Sequence, residues 1–227
     1  DAHIYDRHVS IVKELISRKQ FPAPKFSLNT KIKNFYDFTT DDITITDYKS
    51  NPQIKNIPIA IWGVKMKAIV VVDKNWGIGK NGGLLVHLSG DLKYFKERTV
   101  GKIVVMGRTT LESLPNHKPL ANRINIVMSR NPEYKPEGFI VVNSTGELFK
   151  ELEKYNTEDI FIIGGEKIYH QFLPFCDTYY ITKIYEKFEA DKHFINLDNL
   201  SEVEIVWQSE IMEEKAIKYQ FFEYKRK

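Results

Sequence analysis

Ile69-Val70-Val71-Val72-Asp73-Lys74-Asn75-Trp76-Gly77-Ile78-Gly79-Lys80-Asn81-Gly82-Gly83, followed a few residues on by Ser89-Gly90-Asp91-Leu92-Lys93-Tyr94-Phe95-Lys96, is the stretch on which the fold turns. Four consecutive β-branched residues, Ile69 to Val72, suit a strand covered on both faces. Gly77, Gly79, Gly82 and Gly83 predict a loop free to take backbone angles closed to other residues. Ser89 is the expected N-cap of a helix, with Asp91 in its first turn, where a negative charge is favoured. Leu88, Leu92 and Phe95 recur at helical spacing and predict the face that packs on the strand. A carboxylate beside an apolar pocket and under a glycine-bearing loop is the arrangement expected of an active site.

Toward the C-terminus the pattern alternates. Strands are predicted over 102–107, 123–130, 139–142 and 159–163, and helices over 108–114 and 166–173. Another helix starts at Ser144, with Glu147 at the capping-box position. Three more strands, 178–185, 202–209 and 216–224, complete the chain, the last two with no helix between them. This order predicts an α/β domain over 66–227, with a mainly parallel central sheet and an antiparallel edge.

Toward the N-terminus the pattern changes. A helix is expected over 3–19, with an apolar stripe of Ile4, His8, Ile11, Leu15 and Ile16, stopped by Pro22 and Pro24. Residues 25–29 and 42–48 alternate as strands, and 57–61 reads as an edge or tail because of Pro58. So small an α+β segment, 1–62, has a marginal core by itself. Residues 62–65 are the expected junction, and the start at Asp1 without methionine suggests a piece of something longer.

Composition narrows the function classes. A hydrophobic fraction of 42% with 28% charged residues is that of a globular chain. The net charge of +3 is spread along the sequence with no basic stripe, so nucleic acid is not an expected partner. No apolar run is long enough to span a membrane, and no secretory signal is evident, so a cytoplasmic enzyme is expected. The single cysteine, Cys176, allows no intrachain disulfide and no cysteine-rich metal site, and it reads as a small buried hydrophobe.

Gly77-Ile78-Gly79-Lys80-Asn81-Gly82 matches the dinucleotide pattern G-x-G-x-x-G. A Rossmann turn needs the glycines to close the strand and open the helix directly, and here residues intervene on both sides. Two other junctions suit a phosphate better: Gly107-Arg108-Thr109-Thr110 and Gly164-Gly165, each between a strand and a helix N-terminus. Arg108, Arg130 and Ser129 add charge and a hydroxyl suited to a further phosphate on a ribose. Glycines that only make tight turns remain the alternative at each junction.

Taken together, the Ile78-Gly79 loop, Gly90-Asp91-Leu92-x-x-Phe95, Val105-Met106-Gly107-Arg108-x-Thr110, Asn122-Arg123, Ile163-Gly164-Gly165-x-x-Ile168-Tyr169 and Tyr180-Ile181-Thr182-Lys183-Ile184 resemble dihydrofolate reductase from residue 66 to about 225. The resemblance implies that family's three-layer fold and NADPH-dependent reduction of 7,8-dihydrofolate. It implies that Asp91 holds the pterin's N3 and 2-amino group and that Thr182 hydrogen-bonds Asp91. Leu92, Phe95 and Leu114 would sandwich the substrate rings, with Val70, Leu84 and Leu120 along the same site. Arg123 would pair with the glutamate α-carboxylate, and the carbonyls of Ile69 and Ile163 would accept from antifolate-like inhibitors. Val71, Ile78, Gly79, Gly107, Arg108, Thr109, Thr110, Ser129, Arg130, Ile163, Gly164, Gly165, Lys167, Ile168 and Tyr169 would line the NADPH groove, and no metal is implied. Leu85-Val86 stands where the family usually shows Pro-Trp, and Ser89 where proline is common.

Residues 1 to about 61 resemble the C-terminal part of thymidylate synthase, through Asp1-Ala2-His3-Ile4-Tyr5-x-x-His8, Pro22-x-Pro24-Lys25, Phe35-Tyr36-Asp37-Phe38, Asp47-Tyr48 and Ile57-Pro58-Ile59-Ala60-Ile61. In that family the equivalents of His3 and Tyr5 contact dUMP; a helix-start packing pair is the plainer reading. The resemblance implies a synthase domain or subunit as a partner, and no dUMP methylation by this chain alone. A folate- or nucleotide-binding module without turnover and a dehydrogenase of another substrate are the competing readings for the larger part.

Overall fold

The computed structural model describes residues 9–32, 34, 37, 39–54 and 65–227, with only the backbone of Ser10. The chain divides into two compact units, Asp1–Trp62 and Gly63–Lys227.

In the first unit, helix α1 (Val9–Ser17) precedes strands β1 (Lys25–Leu28) and β2 (Ile43–Thr46). The two strands pair antiparallel with Phe26 opposite Ile45 and Leu28 opposite Ile43. Alternation puts these four apolar side chains on one face, and all four are exposed. Leu15 and Ile16 of the predicted helical stripe are exposed too. Ile4, His8, Phe35, Tyr36, Phe38 and the 57–61 segment lie outside the described residues, as do His3 and Tyr5.

The second unit runs β3 (Met66–Val72), β4 (Gly77–Lys80), β5 (Gly83–Leu84), α2 (Ser89–Thr99), β6 (Ile103–Gly107), α3 (Arg108–Ser113), β7 (Ile124–Met128), β8 (Ile140–Val142), α4 (Thr145–Leu152), β9 (Ile160–Gly164), α5 (Glu166–Phe172), β10 (Cys176–Ile184), β11 (Lys192–His193), β12 (Val203–Gln208), β13 (Met212–Glu214) and β14 (Ile217–Arg226). The main sheet has the order β12-β14-β10-β3-β9-β6-β7-β8, with β13 also on β14. Strands β10, β3, β9, β6, β7 and β8 are mutually parallel, whereas β14 runs antiparallel to β10, β12 and β13. The antiparallel edge follows from connections without helices; the parallel part needs its crossovers.

The β-branched run of β3 lies in the middle of this sheet, between β10 and β9. Its side chains alternate between two cores. Ile69 shares one with Val104, Met106, Phe161 and Tyr180, closed by Leu88, Tyr94 of α2 and Leu111 of α3. Ala68, Val105, Ile126 and Ile162 point the other way, where Leu148, Phe149 and Leu152 of α4 and Phe172 of α5 are buried. Each such side chain contributes about 1.5–3 kcal/mol on full burial. The result is an α/β fold of three layers.

The glycine stretch differs from the loop expected. Gly77–Lys80 and Gly83–Leu84 form a short antiparallel hairpin, and β11 joins it as a third strand. Asp73, to which no sequence motif assigns a role, organises the entry. Its buried carboxylate accepts from the N–H groups of Asn75 (2.8 Å), Gly77 (2.8 Å) and Phe188 (2.9 Å). A Cβ on Gly79 would come within 2.7 Å of the Gly83 carbonyl, so glycine is what lets the hairpin close.

Candidate active site

Helix α2 begins one residue earlier than its capping signal predicts. Leu88 is the N-cap and offers no side-chain acceptor; Ser89 is already the first helical residue. The acceptor comes from far along the chain. Glu214 on β13 accepts from the Ser89 N–H (3.0 Å), the Ser89 hydroxyl (2.8 Å) and the Gly90 N–H (3.2 Å). The expected packing face is also shifted. Leu88 is buried, but it is Tyr94 that lies against the sheet, stacked on Phe221 with ring centroids 4.0 Å apart. Leu92 is half exposed and faces the cleft with Phe95. The reason is angular: Tyr94 sits three residues beyond Asp91, so it shares the acid's side of the helix rather than that of Leu92.

Asp91 meets the sheet at Thr182 of β10, which is buried and hydrogen-bonds its carboxylate. Burial pushes the Asp91 carboxyl above the usual carboxylate range, and the Thr182 bond holds part of that rise back. The Tyr169 and Tyr219 hydroxyls are raised by burial first, and the nearby Asp91 adds to both. Tyr169 donates to the Ile69 carbonyl at 2.7 Å, tying α5 to the middle of β3.

A cleft of ≈ 1450 Å³ opens from this point along the C-terminal ends of the parallel strands. That is more than one drug-sized ligand fills. Every described candidate residue lines it except Thr182, which stands behind Asp91. The substrate candidates Ile69, Val70, Leu84, Leu92, Phe95, Leu114, Leu120, Arg123 and Ile163 are on its wall, with Asp91 among them.

Arg123 donates to Thr99 Oγ1 (2.9 Å) and to the Ala121 carbonyl (3.2 Å), and its guanidinium lies 5.7 Å from the Phe95 ring centre. No carboxylate pairs with it among the described residues. Burial lowers its pKa. Asn125, unremarked in the sequence, is buried and fixes the preceding loop through Leu120 and the Arg123 carbonyl.

The two glycine junctions end the adjacent strands β6 and β9. Gly164 has φ 128°, in the region that favours glycine, and the Gly164–Gly165 peptide is cis. A Cβ on Gly164 or Gly165 would meet Thr110 Oγ1 at 3.3 or 3.2 Å, and one on Gly107 would meet Ile168 Cγ1 at 3.0 Å. The two turns therefore approach each other closely, and at Gly164 the backbone angle also favours glycine. Val71, Ile78, Gly79, Thr109, Lys167 and Tyr169 complete this part of the lining. Two details differ from the simple phosphate reading. Arg108 is paired with Glu112 at 2.7 Å, and the Ser129 hydroxyl is largely buried, accepting from the Asn131 N–H at 3.2 Å. Arg130 is exposed on the same wall.

Comparison with known proteins bears on this architecture. Residues 65–226 match the family described as dihydrofolate reductase. The dihydrofolate reductase of Bacillus subtilis is 36% identical over 160 residues, spanning 70% of this chain and 93% of that protein. A solved structure of the Enterococcus faecalis enzyme, complexed with NADP(H) and RAB-propyl, superposes with a TM-score of 0.65 at 35% identity, over 71% of this chain and 96% of that one.

The chain belongs to the dihydrofolate reductase family. It is thereby a relative of NADP-dependent oxidoreductases. Residues 1–61 match a second family, thymidylate synthase. A carrot protein described as a bifunctional dihydrofolate reductase-thymidylate synthase is 34% identical over 177 residues, 70% of this chain and 33% of that protein. Cys176 is buried at the start of β10, and burial pushes its thiol up, as befits a packing residue. Among the described residues no helix is long and apolar enough to cross a membrane.

Proposed function

We propose that this chain reduces 7,8-dihydrofolate to 5,6,7,8-tetrahydrofolate with NADPH, and that Asp91 is the acid on which the reaction depends. The observation that carries the reading is a carboxyl raised by burial, hydrogen-bonded to Thr182, at the apolar end of a long cleft. The donor set fits the dinucleotide. Gly107, Gly164 and Gly165, where an added Cβ would be tight, line it, and Arg130 is exposed on its wall beside Arg108 and Ser129, which are engaged with Glu112 and Asn131. When bound, NADPH supplies the hydride that reaches C6.

The protein's own residues do the rest. Asp91 would hold the N3 and 2-amino edge of the pterin, which favours a proton on N5, directly or through a water. Thr182 would keep the carboxylate oriented. Leu92, Phe95 and Leu114 would hold the flat rings and exclude water, which strengthens the hydrogen bonds at Asp91. Arg123, with no acid partner among the described residues, would take the substrate's α-carboxylate, for which a planar fork suits better than an ammonium. The Ile69 and Ile163 carbonyls would accept from antifolate amino groups, Ile69 while also accepting from Tyr169.

For residues 1–61 the reading is a synthase segment that needs a synthase domain or subunit as its complement. These residues contain no cysteine, so the nucleophile for dUMP methylation would come from that complement. The test of the reductase reading is oxidation of NADPH in the presence of dihydrofolate, followed by loss of nicotinamide absorbance. Saturable turnover is expected; binding of both ligands with no turnover would favour a binding module.

A further inference from the structure

We infer that Glu214 is a positioning residue for Asp91, and that the β13–β14 hairpin anchors the helical turn on which that acid stands. The inference rests on the reductase reading given above. The first N–H groups of a helix have no acceptor within it. In α2 the N-cap is Leu88, which has none to offer. Glu214 fills the gap with both oxygens, one on the Ser89 N–H and the other on the Ser89 hydroxyl and the Gly90 N–H. These are the three donors immediately before Asp91. The load shows on Glu214 itself, whose carboxyl those bonds hold below the usual range.

The other arm of the hairpin grips the same turn. Tyr219 of β14 lies so close that a Cβ on Gly90 would overlap its hydroxyl. β14 in turn pairs with β10, placing Phe221 opposite Thr182. The backbone before Asp91 and its carboxylate are thus held by neighbouring strands of one sheet. A change in the hairpin moves one grip relative to the other, and a displacement of that kind is felt as rate rather than as cofactor affinity.

The experiment compares Glu214→Ala, Glu214→Gln and Glu214→Ala/Ser89→Pro with the parent in the full chain. Two readouts are taken: steady-state kinetics, and amide hydrogen exchange at Ser89 and Gly90. Glu214→Ala should lose exchange protection at both amides and lower kcat about tenfold, with KM for NADPH unchanged. Glu214→Gln, which keeps an acceptor oxygen, should recover most of the rate. Proline at the first helical position fixes φ without needing an acceptor, so Ser89→Pro should restore rate to Glu214→Ala. Lost protection with unchanged kcat would overturn the proposal, as would kcat and the NADPH KM deteriorating together with no rescue by either second variant. If Glu214→Ala does not fold, Glu214→Gln and Ser89→Pro in the parent decide alone: both must keep kcat near the parent's value, and a large loss in Ser89→Pro with Glu214 intact would contradict the positioning role. A parent that binds dihydrofolate and NADPH without turnover removes the reductase reading itself, and this inference with it.

Discussion

Strands β1 and β2 of the N-terminal unit and strand β6 of the reductase unit are made of similar residues and end in opposite surroundings. Phe26, Leu28, Ile43 and Ile45 face each other across a two-stranded ladder and remain 42–61% exposed. Ile103, Val104, Val105 and Met106 are 0–5% exposed, between β9 and β7 and under helices on both faces. Propensity made strands in both places. Among the described residues the second is covered by helices on both faces, and there Asp91 and Thr182 are drawn into the core, whereas the shift at Asp42 of the first unit comes from exposed hydrogen bonds to Thr39 and Asn29. The uncovered strands belong to the part of the chain, residues 1–61, that matches thymidylate synthase.

The sharpest way to break the comparison is to remove one apolar side chain from each. Leu148→Ala, at a site with no exposure, should cost about 2–5 kcal/mol in chemical denaturation of the reductase unit. Phe26→Ala should stay within about 0.5 kcal/mol. Equal losses would mean that the N-terminal face is covered in solution. A smaller effect tests backbone rather than packing. The first 62 residues contain no glycine, whereas the reductase cleft depends on it. Gly164→Ala, at φ 128° and 3.3 Å from Thr110 Oγ1, should cost about 1–3 kcal/mol and raise KM for NADPH. An unchanged KM would detach this turn from the cofactor.

The smallest effect concerns pH. The folded-state pKa of Asp91 lies above its ordinary value of 3.8, so the native state holds the proton more tightly than the unfolded chain does. Its contribution to stability is complete below 3.8 and is lost as pH rises through the raised value. Asp91→Asn removes that loss. The variant should therefore melt a few degrees above the parent at neutral pH and level with it in acid. A lower melting point at neutral pH would mean that the charge is well solvated.

Much of this is legible in the sequence. The β-branched runs at 69–72 and 103–105 announced central strands because a strand covered on both faces needs apolar residues without alternation. The cleft residues are those the family resemblance implies; of its motifs, Gly107-Arg108 and Gly164-Gly165 sit where the parallel strands β6 and β9 end on one edge. What escaped was long-range. Ser89 read as a cap because capping is inferred from neighbours, yet its partner, Glu214, is 125 residues away. Tyr94 displaced Leu92 from the core because Phe221, on a distant strand, offers it a stacking partner. Asp73 did carry a local signal, an aspartate followed by Asn75 and Gly77, the composition of a side-chain-closed turn.

The proposed reduction depends on one carboxyl group, that of Asp91. Single-turnover hydride transfer from NADPH to dihydrofolate, measured for the parent and for Asp91→Asn at neutral pH with both ligands saturating, tests it most directly. A loss of at least about 100-fold, with NADPH affinity retained, is the predicted result. Transfer in the variant at the parent's rate would show that the proton on N5 does not depend on Asp91.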